Sequence, residues 1–83
     1  MKKLLKFHAT WCAPCKALSG TIDSIKGQIP FPVEEIDIDV HNDIAMRYAV
    51  RGVPTLVIVD NDKEVGRAVG NMTSQQLKTF LGV

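Results

Sequence analysis

With 83 residues, 46% hydrophobic, 23% charged and a net charge of +1, the chain fits one small globular domain with a modest core of its own. The composition excludes a disordered chain, and the scattered lysines and arginines exclude the basic face that a nucleic acid requires. The longest strongly apolar run, Leu56-Val57-Ile58-Val59, is far too short for a transmembrane helix.

The opening Met1-Lys2-Lys3-Leu4-Leu5-Lys6 starts basic, as signal peptides do, but Lys6 ends the apolar part at once. An uncleaved, cytoplasmic protein is therefore expected. Residues 3–9 read as a first strand leading into Trp11-Cys12-Ala13-Pro14-Cys15-Lys16, which holds both cysteines. Pro14 suits the first turn of a helix, where its missing N–H costs nothing. Leu18, Ile22, Ile25 and Ile29 recur at helical spacing, predicting a buried stripe to about Gly27, with a bend at Gly20. Pro30 and Pro32 end that segment.

From Val33 to Ile38 the pattern alternates, which predicts a second strand. Glu34, Glu35, Asp37, Asp39 and Asp43 form the one charge run, read as a solvated strand edge and loop. Asn42 or Asp43 is expected to cap a short helix reaching about Val50, with Ile44 and Tyr48 on its buried stripe and Gly52 as its stop. The β-branched run Thr55 to Val59 predicts a third strand buried on both faces. Asp60 to Lys63 is turn chemistry, and Glu64 to Val69 returns as a fourth strand. Thr73-Ser74-Gln75-Gln76 spells a capping box for a last helix with Leu77, Phe80 and Leu81 inward. The order is βαβαββα, an α/β fold whose first two strands are parallel through a right-handed crossover and whose hairpin makes the sheet mixed.

In a reducing compartment, two cysteines three residues apart more often do redox work or bind metal than act as a staple. If Cys12 caps the helix and Cys15 lies one turn in, the first turn can close to disulfide distance and free N–H groups point at Cys12. Lowering a thiol from about pKa 8.5 to neutrality takes roughly 2 kcal/mol, whereas the helix dipole gives about 0.3–1 kcal/mol. Hydrogen bonds from the Cys15 side must supply the rest. Cys12 is then the exposed nucleophile, and Cys15 the shielded thiol that resolves the mixed disulfide.

Trp11 to Lys16, Gly52-Val53-Pro54-Thr55 and Val69-Gly70, in that order, resemble the thioredoxin family over nearly the whole chain. The resemblance implies a minimal thioredoxin-like fold: a four-stranded mixed sheet with helices on both faces, without the family's usual first strand and helix, as in glutaredoxins. It implies that Cys12 is the nucleophile, Cys15 the resolving cysteine and Pro54 a cis-proline facing them. Trp11, Ala13, Pro14, Val53, Pro54 and Gly70 would form the rim where a partner segment docks by strand addition. Disulfide-bearing proteins would be the substrates and a thioredoxin reductase, or glutathione, the source of electrons. No cofactor beyond the cysteine pair, no metal and a monomer are expected. Ala13, Gly20, His8 and Lys6 depart from the family's commonest residues. Lys6 stands where the family has a buried aspartate, and Glu35 where it has the lysine partner. Lys6 and Glu35 are thus a candidate proton-transfer pair beneath Cys15, with Glu35 as acceptor; against this stands a Lys6 that snorkels to water above a surface carboxylate.

Other readings remain open. A structural disulfide across so short a loop would stabilise little. Zinc would need more ligands than His8 and His41 offer. Trp11 could be a core aromatic, Met46 and Met72 read as packing residues, and His8 and His41 as strand-face and loop residues. The chain could also be a non-catalytic module that holds a partner on the same rim.

Overall fold

A computed structural model describes residues 1–83. Strand β1 (Lys2–His8) is followed by α1 (Ala13–Ile25) and a 3-10 turn at Lys26–Gln28, then β2 (Val33–Asp37) and α2 (Asn42–Arg47). The chain continues through β3 (Thr55–Asp60), β4 (Lys63–Val69) and α3 (Ser74–Leu81). The sheet order is β2-β1-β3-β4. β1 and β2 are parallel, and the other two pairings are antiparallel. The expected βαβαββα mixed sheet is the one observed.

Alternation along the strands sorts the apolar side chains into two cores, one on each face. Leu4, Leu56 and Ile58 meet Leu18, Ile22 and Ile25 of α1 and Leu77 and Leu81 of α3. On the other face, Leu5, Phe7, Ile36, Val57 and Val59 meet Ala45 of α2, and the Tyr48 ring lies 5.8 Å from that of Phe7. β3, covered on both faces, is buried from Thr55 to Val59, as its unbroken β-branched run requires. β2 is an edge strand with Glu34 and Glu35 exposed, so its acidic run is a solvated edge.

Several local expectations are corrected. α1 runs unbroken through Gly20. α2 is capped by His41, without a side-chain bond, rather than by Asn42 or Asp43. It ends at Arg47, well before Gly52, because Ala49 takes the left-handed conformation at φ 54°. Ile44, Ala45 and Tyr48 of that region pack on the sheet while Met46 is 72% exposed, so Met46 is no packing residue. Met72 does pack on the first core.

The hairpin turn places Asn61 and Asp62 at φ 51° and 68°, the paired positive angles that suit a two-residue link between twisted strands. One bulge follows: Ile58 pairs with Gly66 and Val59 with Glu64, leaving Val65 unpaired. The Thr73–Gln76 capping box forms in both directions.

Candidate active site

The cysteine loop is built by β1 and α1. After His8 the chain turns, and the Cys12 N–H donates to the Ala9 carbonyl at 3.2 Å. Cys12 keeps extended backbone angles as N-cap, while Ala13 and Pro14 open the helix. Its Sγ accepts the Cys15 N–H at 3.1 Å, so the donor expected from the Cys15 side is in place. Hydrogen bonds to charged groups are worth about 1.5–3 kcal/mol. Toward a thiolate in the reduced protein, this donor and the dipole would work in the same direction, while burial of the sulfur would work against them.

Cys12 and Cys15 are joined as a disulfide with Cα atoms 5.3 Å apart. The expected contrast in exposure between them is absent: Cys12 is 4% exposed and Cys15 2%. The Cys12 sulfur lies against Cys15, and Ala9, Ile38 and Val53 pack around the pair. In this oxidised form the two sulfurs differ in position on the helix and not in access to water.

The surroundings of the pair are open. Trp11 is 68% exposed, which rules out a core role, and its indole N–H donates to Asp39 at 3.0 Å. Ala13 and Pro14 are exposed beside it. The Val53–Pro54 peptide is cis, and Pro54 is buried with its carbonyl accepting the Gly70 N–H at 2.9 Å. Gly70 has φ 95°, a conformation that favours glycine. The other end of this loop is also tied to β4, since Arg67 donates to the carbonyl of Tyr48 and is gripped by Glu64 at 2.8 and 2.9 Å. β4 and the glycine that follows it therefore hold the segment carrying Val53 and Pro54 at both ends.

Ala9, Ile38 and Asp39 were not among the residues expected at the site. The parallel register carries the signal for Ile38: His8 pairs with Asp37, so the next residues, Ala9 and Ile38, continue side by side to the cysteines. Asp39 gave no such signal, because its reach to Trp11 depends on a turn in which Val40 and His41 donate to the Asp37 carbonyl.

Beneath α1, Lys6 and Glu35 do meet. The Lys6 Nζ lies 3.2 Å from Glu35 Oε1 and donates to Ser19 Oγ. Its side chain is 3% exposed against 61% for Glu35, so Lys6 does not snorkel to water. A cavity of about 280 Å³ beside the pair is lined by Lys6, Ser19, Asp23, Lys26, Val33 and Glu35 among others, and by neither cysteine. His8 is half-buried and His41 exposed. No group of three or more His, Cys, Asp or Glu residues is placed to hold a metal ion, and no helix is long and apolar enough to cross a membrane.

A family model for thioredoxin matches residues 1–82. The chain belongs to the thioredoxin family. The thioredoxin of Buchnera aphidicola is 37% identical over 82 residues, covering 96% of this chain and 75% of that protein. Mitochondrial thioredoxin of Bos taurus is 36% identical over 80 residues, and there the chain spans 48% of the relative's length. Among solved structures, a mutant thioredoxin from Halobacterium salinarum superposes with a TM-score of 0.86 at 31% identity, over 99% of this chain and 76% of that one. Fasciola hepatica thioredoxin gives 0.84 at 28% identity, over 95% and 77%. Membership of the thioredoxin family and the bonded Cys12–Cys15 pair together support thiol–disulfide oxidoreductase chemistry.

Proposed function

We propose that the protein reduces disulfides of partner proteins, with Cys12 as nucleophile and Cys15 as resolving thiol. The observation that carries this reading is the Cys15 N–H aimed at Cys12 Sγ from the first turn of α1. In the reduced protein the same donor favours a thiolate at position 12. That thiolate attacks one sulfur of the partner disulfide, the partner's other sulfur leaves as a thiolate, and a mixed disulfide forms. Cys15 then attacks Cys12, and the partner leaves reduced.

Trp11, Ala13, Pro14, Val53, Pro54 and Gly70 form the docking rim in this reading, with the exposed indole as its largest contact. Electrons come from a thioredoxin reductase, and no cofactor other than the cysteine pair takes part. The reductive direction fits a monomer working in the cytoplasm, where thiols are kept reduced. Insulin disulfide reduction tests the proposal: turnover is expected with thioredoxin reductase and NADPH. Turnover with glutathione alone would instead assign a glutaredoxin-like activity. No turnover with either, alongside retained partner binding, would leave a holding module.

A further inference from the structure

The only charged side chain buried in the protein is that of Lys6, beneath the helix that bears the cysteines. Its two partners sit in unlike surroundings: Ser19 belongs to α1, whereas the Glu35 side chain is 61% in solvent. Water screens the carboxylate far better than it screens the ammonium. The pair consequently presents a positive potential inward.

The ammonium is tied through Ser19 to the helix that carries Cys15. Ser19 lies four residues after Cys15 on α1, on the same face, with Cβ atoms at that spacing about 5–6 Å apart. We propose that Lys6 is a fixed cation that favours the thiolate of Cys15 and so speeds resolution of the mixed disulfide. The proposal rests on the reading of Cys15 as the resolving thiol. In that step Cys15 loses its proton to solvent and its sulfur bonds to Cys12 Sγ. The bond from Cys12 to the partner breaks, and the partner's sulfur departs as a thiolate that takes a proton from water. The cysteine pair is oxidised and the partner reduced, while Lys6 exchanges no proton. Glu35 holds the cation and partly offsets it.

Other charges around α1 bear on the same titration. Strand alternation turns His8, Asp37 and Glu35 to the α1 face of the sheet with Lys6, while α1 adds Lys16 and Asp23 and the turn after it adds Lys26. Of the charged groups among them, only Lys6 is buried, so removing it should move Cys15 most.

The test titrates Cys15 as the only thiol, in a Cys12→Ser background, by thiolate absorbance in the far ultraviolet. Lys6→Met is expected to move the midpoint up by about one unit, and Glu35→Gln to move it down. With both cysteines present, Lys6→Met is expected to slow mixed-disulfide resolution about tenfold near neutral pH, and Glu35→Gln is not. An unmoved or lowered midpoint in Lys6→Met overturns the proposal. So does slow resolution in Glu35→Gln, which would make the carboxylate the proton acceptor. Lys6→Gln, which keeps a polar group against Ser19, separates loss of charge from loss of packing: it should titrate like Lys6→Met, and a wild-type midpoint overturns the proposal. The titration needs no substrate, so its failure is distinct from a failure to reduce protein disulfides.

Discussion

Cys12 and Cys15 differ in what their neighbours do for them, and substitution should expose the difference. On the proposed cycle Cys15→Ser keeps the attacking thiol and lacks the resolving one, so incubation with a disulfide-bearing protein should accumulate a covalent adduct through Cys12, visible on a non-reducing gel. Cys12→Ser should give none. Glu64 offers a second residue-scale test. The Arg67 guanidinium beside it holds its carboxyl below the ordinary value. A carboxyl depressed in the folded protein contributes stability above its unfolded pKa, and loses it as pH falls through the folded one. With side chains 37% and 30% exposed, the pair is screened and worth under about 1 kcal/mol. Urea unfolding should show Glu64→Gln less stable than wild type by that margin at neutral pH, with the gap closing below the carboxylate range. The cysteines, Trp11 and Pro54 could be picked out from sequence because each sits in a short motif. The burial of Cys12 could not, because it depends on Ile38 and Val53, which arrive from distant parts of the chain.

Elements were readable wherever their signals are local. The capping box of α3 forms as spelled, and Thr73→Ala should cost about 1 kcal/mol, measurable as a lower Tm. α2 is shorter than its sequence signals suggest because its stop is Ala49 in a left-handed conformation, and alanine advertises no such turn. The Gly70 conformation, by contrast, goes with a residue suited to it. Gly70→Ala should destabilise by about 1 kcal/mol or more. It should also weaken partner docking, raising the KM for a protein disulfide while leaving reaction of Cys12 with a small alkylating agent unchanged.

At the scale of the whole molecule, two thin cores share one sheet, and neither has much to spare. For 83 residues a stability of about 4–12 kcal/mol is ordinary. Leu18, fully buried between α1 and the sheet, should lose about 2–5 kcal/mol as alanine, so chemical denaturation of Leu18→Ala should begin at low urea. The parallel β1–β2 pair, the doubly buried β3 and the β3–β4 hairpin were legible in sequence, but the order β2-β1-β3-β4 was not, because β1 also buries apolar side chains on both faces, and Lys6 interrupts its run. What sequence did not disclose is how β4 serves the far side of the molecule. Its alignment is set by the Asn61–Asp62 turn and the bulge at Val65, yet Arg67 and the Gly70 that follows the strand grip the two ends of the Val53–Pro54 segment. A strand sliding by one position would turn Arg67 to the opposite face and carry Gly70 out of reach of Pro54. An error seeded at the hairpin tip would thus disturb the proposed docking rim while leaving the cysteine loop itself whole.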